Sequence, residues 1–217
     1  MQTYFYAPQF TKFPPEIAKS LRRALYYTNI ESQPELALKY YKKAMEQCQQ
    51  MSMDPYSEEV IGLRIQIAHW LEMIKNYQNS VTALEALLRD INRWIEWMEK
   101  GVADGTLAKL EAATTALLES DSAKADIADE EPVLVESPFR KRTRLLAKAV
   151  GISVKLGDLY SDEHVMEQDK ALSHLTWAVE TALSESTRRL TQGLKEDEGD
   201  WMKPEEFGGA IEGRSTS

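Results

Sequence analysis

Apolar side chains recur three and four residues apart in six stretches of this chain, a period that places each set on one face of a helix. The first stretch runs through Ile17, Leu21, Ala24 and Leu25. Pro14 and Pro15 sit at its start, where a missing amide costs nothing. A turn at Asn29–Gln33 leads to Pro34, which opens a partner helix from Glu35 to about Gln50. Asp54-Pro55 reads as an N-cap and first helical residue, followed by Val60, Leu63, Ile67, Leu71 and Ile74. After a turn at Lys75–Asn79, Val81, Leu84, Leu88, Ile91, Ile95 and Met98 continue the alternation up to Gly101, a C-terminal stop. Periodicity resumes at Arg140 with Leu145, Ala149, Ile152 and Leu156, and Gly157 is read as its end. The last stretch, Ala171 to about Leu194, is expected to turn Leu172, Leu175, Val179 and Leu183 inward.

Short links between successive helices predict antiparallel pairs. The second helix of each pair carries a residue triad spaced four then three: Ala37, Tyr41, Ala44; Ser80, Leu84, Leu87; Ala171, Leu175, Ala178. A small leading residue admits a neighbouring helix closely, and the larger one fills the gap beside it. That is the packing of stacked hairpins of the tetratricopeptide (TPR) kind. The expected architecture is therefore all-α, a TPR-like right-handed solenoid of antiparallel hairpins interrupted by an acidic loop. Residues 1–14 form an extended lead-in and 15–101 two hairpins. The insertion occupies 102–139, a third hairpin 140–195, and 196–217 begin a fourth that stops short.

The insertion stands apart in composition. Between 102 and 138, nine acidic side chains face two lysines, and only Thr106–Glu119 has helical patterning. At the other end, Lys203-Pro204-Glu205-Glu206 followed by Phe207–Ile211 resembles a helix's first turn and packing side.

Charge and composition narrow the function classes. A net charge of −9 argues against a nucleic-acid binder, which needs a basic face. One cysteine, Cys48, excludes a disulfide framework and a cysteine-rich zinc site, and its helical setting predicts a buried thiol. No apolar run approaches the roughly 18 residues that cross a bilayer. Neither a secretory signal nor an arginine-rich transit peptide stands at the N-terminus.

Catalytic motifs are missing: no nucleophile elbow, P-loop, dinucleotide fingerprint or zinc-protease helix. His69, His164 and His174 have no ligand spacing, and Asp129, Glu130 and Glu131 lack the glycine turn of a calcium loop. No cofactor and no metal are expected. Arg140, Lys141, Arg142 and Arg144 offer cations to phosphates or lipid headgroups, or balance the acidic insertion that precedes them. Tyrosines and tryptophans gather in the first two hairpins, and tyrosine and tryptophan are the residues that anchor peptides. Arg22, Tyr26, Gln66, Trp70 and Lys148, on the first helix of each hairpin, are the candidate lining of a protein-binding groove, with Trp70 and Tyr26 also readable as core. A clamp for peptide carboxylates is not assembled: Arg64, Gln66 and Lys148 stand without an asparagine on that face.

Four separated blocks carry a family resemblance: SLRRALYYTNIESQPELALKYYKKAME (20–46), RTRLLAKAVGISVKLGDLYSDEHV (142–165), HLTWAVETAL (174–183) and EGDWMKPEEFGGAIE (198–212). Together they resemble a fungal mitochondrial TPR-repeat family that includes the adaptor subunit of the inner-membrane i-AAA protease. The resemblance implies a non-catalytic adaptor on the intermembrane-space side of the mitochondrial inner membrane, binding unfolded client proteins and delivering them to the protease for quality control. Family members usually carry a membrane anchor and further hairpins, which this chain does not show. The competing expectation is a TPR scaffold that joins two stable partners and handles no client.

Overall fold

The computed structural model describes residues 12–106, 136–195 and 198–202. All regular structure among them is α-helical, in six helices: α1 (Pro15–Asn29), α2 (Pro34–Gln50), α3 (Glu58–Met73), α4 (Tyr77–Ala103), α5 (Pro138–Ser161) and α6 (Gln168–Gln192). Most of the acidic insertion and the start of the expected fourth hairpin lie outside the described residues. The chain forms two compact units, one up to Leu87 with Asp162–Met166, the other Leu88–Ser161 with the residues from Glu167 onward.

In the first unit, proline at the first turn of α1 and of α2 fixes where each helix begins. The link between them is closed by the amides of Ile30 and Glu31 on the Tyr26 carbonyl and of Gln33 on that of Tyr27. The two helices then pack as an antiparallel pair. Ser20 Oγ donates to Gln47 Oε1 across the pair at 2.7 Å. Alanines at 18, 24, 37 and 44 let the backbones approach, and Ile17, Leu21, Tyr41 and Cys48 fill the seam. Burial pushes the Cys48 thiol above its ordinary range, so it stays a protonated packing group. α3 adds Val60, Leu63 and Trp70 to this core. Ser80 at the start of α4 is fully buried, its Oγ donating to the Ala68 carbonyl at 2.8 Å. A small hydroxyl-bearing residue there lets α3 and α4 touch without leaving a polar atom unpaired.

α3 begins later than the Asp54-Pro55 signal implies. Asp54 accepts from the Tyr56 amide through its side chain and from the Ser57 amide through its carbonyl, which closes a turn. Ser57 is the true cap, its Oγ accepting from the Val60 amide. α4 likewise runs on past Gly101 to Ala103.

In the second unit, Leu88, Ile91, Ile95 and Met98 of α4, one face of α5 through Leu145, Ala149, Ile152, Leu156 and Leu159, and Ala171, Leu175, Ala178, Val179 and Ala182 of α6 are buried apolar positions. α5 and α6 form its helical pair. Ser137 Oγ accepts from the Arg140 amide, so α5 begins at Pro138 rather than Arg140. Gly157 does not end α5. It is buried inside the helix, and a β-carbon there would meet Leu175 Cγ at 2.5 Å, so the glycine serves close helix approach and α5 continues to Ser161. On α6 the inward face is narrower than expected: Leu175 and Val179 are buried, whereas Leu172 and Leu183 are 60% and 47% exposed.

Candidate functional site

The first unit carries an open cleft of about 280 Å³ between α1, α2 and α3. Leu21 and Leu25, four apart on α1, form one wall, and Leu63 of α3 and Phe13 add to its apolar lining. Tyr41 from α2 and Gln66 from α3 supply polar atoms inside, and Lys12, Glu58 and Glu59 supply charged groups. Burial raises the Tyr41 phenol above its ordinary range, partly offset by hydrogen bonds with Thr28 and Gln66, so it remains a neutral hydroxyl. Lys12 Nζ donates to Glu58 Oε2 at 3.4 Å across exposed side chains.

Gly62 lies on the same stretch of α3, exposed, with nothing within 4 Å of where a β-carbon would stand. Glycine inside a helix costs about 0.5–1 kcal/mol relative to alanine. Gly157 repays that cost by admitting Leu175, but among the described residues no side chain lies within 4 Å of the β-carbon position at Gly62. Volume and lining suit one or two apolar side chains of a partner; the cavity falls just below the roughly 300–1,000 Å³ of small-molecule pockets.

Of the five candidate groove residues, Gln66 lines this cleft. Arg22 is exposed and Tyr26 partly buried on α1, one position beyond Leu21 and Leu25, hence about 100° around the helix from the wall of the cleft. Tyr26 instead meets Tyr27 edge-on at 5.3 Å, and the charge of Glu31 raises its phenol. Trp70 is a core residue: its ring packs 5.6 Å from that of Tyr41, and it is not part of the cleft lining. Lys148 is exposed on α5 in the second unit. Sequence reasoning missed Leu21, Leu25 and Gly62. A leucine pair four apart on α1 and an unexplained glycine inside α3 are the signals that mark them.

The basic cluster at the start of α5 is largely engaged within the second unit. Arg142 donates to Glu99 Oε1 at 2.7 Å and to Glu185 Oε2 at 3.2 Å. Arg144 holds Glu136 through two hydrogen bonds at 2.8 and 2.7 Å, and these keep the Glu136 carboxyl below its ordinary range. Lys141 stands over the Trp94 ring at 5.2 Å. Glu185, its side chain 3% exposed, also accepts from Arg188 at 2.6 Å and Arg189 at 3.1 Å. Burial alone would raise its carboxyl, but the hydrogen bond from Arg188 and the charge of Arg142 outweigh burial and hold it below the usual range. Glu198, equally buried, pairs with Arg188 and accepts from the Lys195 amide at 3.0 Å. The network ties Lys195, Glu198 and Gly199 to α6.

The histidines are dispersed. His69 faces Glu72 at 3.7 Å, His164 stacks on Tyr77, and His174 stacks on Tyr160 beside Ser153 Oγ. Among the described residues no three His, Cys, Asp or Glu side chains are grouped to hold a metal, and no helix is long and apolar enough to cross a membrane. In comparisons with family models, curated proteins and solved structures, nothing matches this chain.

Proposed function

We propose that this chain is a non-catalytic, TPR-like adaptor that holds segments of client proteins in the α1–α3 cleft. The observation that carries this reading is the space over Gly62, in a cleft that Leu21 and Leu25 also line, left open by the side chains of the described residues. The paired helices with alanines at their seam support a TPR-like stack, since such repeats present the first helix of each hairpin to a ligand. A cleft this small gives shallow apolar anchoring and modest, sequence-tolerant affinity. That is what delivery requires, because a client must be released to an energy-driven unfolding machine.

By the resemblance of its four sequence blocks, the receiving machine is the i-AAA protease of the mitochondrial inner membrane, on the intermembrane-space side. Affinity purification from mitochondria tests the reading. An adaptor recovers the AAA protease with a heterogeneous set of unfolded substrates. A chain with the cleft filled by Gly62→Leu recovers the protease without the substrates. One or two partners in fixed proportion, unchanged by the filling, would replace the adaptor with a scaffold.

A further inference from the structure

Resting on the cleft reading above, we infer that the preferred ligand is a polypeptide segment carrying a leucine-sized apolar side chain together with a lysine or arginine about one helical turn away, the cation taking the place of Lys12 at Glu58 and Glu59. Three observations meet at this spot. The cleft lining is apolar along α1, with Leu21 and Leu25, and the volume over Gly62 is free. Two consecutive carboxylates, Glu58 and Glu59, occupy the first turn of α3 and line the same cleft. Lys12 already reaches one of them, Glu58, through a long contact between side chains that are 63% and 58% exposed.

Charge arithmetic sets the sign of the preference. Two carboxylates contribute −2, and the N-terminal end of a helix contributes about +0.5. With Lys12 in place the sum is about −0.5; with Lys12 swung away it is about −1.5. An exposed ion pair of this kind contributes at most about 1 kcal/mol, so it breaks readily. A ligand cation that arrives with an apolar neighbour restores the balance and adds burial over Gly62, which Lys12 does not supply. A ligand carboxylate at the same place meets the two glutamates and is rejected. The selectivity is thus opposite to that of a carboxylate clamp. It also suits a chain of net charge −9, which draws basic segments in from a distance.

The test uses the full chain and three fluorescein-labelled synthetic peptides of about twelve residues, read by anisotropy. The first carries Leu and Lys four apart on a Gly/Ser/Ala frame; the second replaces Lys by Glu, and the third replaces Leu by Ser. The expected order is saturable binding of the first, at least about ten-fold weaker binding of the second, and loss of the third. Lys12→Ala should tighten the first peptide by about two- to five-fold by removing the internal competitor, and Glu58→Gln with Glu59→Gln should erase the difference between the first two. Equal binding of the Lys and Glu peptides by the unaltered chain overturns the charge preference while leaving the cleft reading in place. Gly62→Leu separates the two ideas: it should abolish binding of the first peptide without lowering the melting temperature. Undiminished binding there overturns the cleft reading itself. If sedimentation shows a dimer that Gly62→Leu dissolves, the occupant is a second copy of this chain and the proposed ligand class falls.

Discussion

Leu175 lies directly on the bare Cα of Gly157: a β-carbon at 157 would stand 2.5 Å from Leu175 Cγ and 2.6 Å from its Cδ2. Gly157→Ala therefore sets two effects against each other. Alanine gains about 0.5–1 kcal/mol of helix propensity, while forcing a buried leucine out of place costs about 1–3 kcal/mol. Overpacking wins, and the urea midpoint should fall. Gly62→Ala, where the space is empty, should raise it by the propensity gain alone. Equal shifts for the two substitutions would show that Leu175 moves aside freely.

The network around Glu185 makes stability depend on acidity. Its carboxyl is held below the range in which the same group ionises in an unfolded chain, so the unfolded state takes up the proton first as pH falls. The stabilisation is complete above the unfolded glutamate range of about pH 4–5 and is lost progressively as pH falls further, through the lowered range of the folded carboxyl. Glu185→Gln should cost about 3 kcal/mol near neutrality, because it leaves Arg142, Arg188 and Arg189 with less buried counter-charge. It should also flatten the acid limb of stability against pH, which chemical denaturation at a series of pH values measures.

Trp70 separates folding from ligand binding. Its ring is packed on Tyr41 within the first unit's core, so Trp70→Ala should destabilise by about 3–5 kcal/mol. Any loss of peptide binding should track the loss of helical circular dichroism. Gln66→Ala, at the cleft, should weaken peptide binding with little change in the melt.

The start of α3 rests on Ser57. Ser57→Ala removes the acceptor for the Val60 amide and should cost about 1 kcal/mol, whereas Asp54→Ala disturbs only the preceding turn and should cost less. Reversal of that order in thermal melts would move the cap back to Asp54.

Helix order was legible because proline at 15 and 34 and unbroken apolar spacing are local signals that tertiary contacts did not override. The misreadings share a cause: one residue type serves two purposes. Gly157 looks like a stop until its neighbour on α6 is known, since glycine both ends helices and admits close packing. Leu172 and Leu183 fit an apolar stripe by spacing, yet they are exposed and only the narrower strip through Leu175 and Val179 is buried. On α1 the aromatic and charged residues drew the groove to Arg22 and Tyr26, a single step along the sequence and about 100° around the axis from the leucines that form it. Trp70 could be read as anchor or core from composition, and only its burial against Tyr41 decides.

Cys48, the chain's single thiol, is 3% exposed in the seam between α1 and α2. A disulfide reagent can reach it only when that seam parts, so the rate of modification clocks the opening of the first unit in the native state. Each molecule therefore carries its own stopwatch, with no reporter to be engineered, and an occupant that braces α1 against α3 would be seen to slow it.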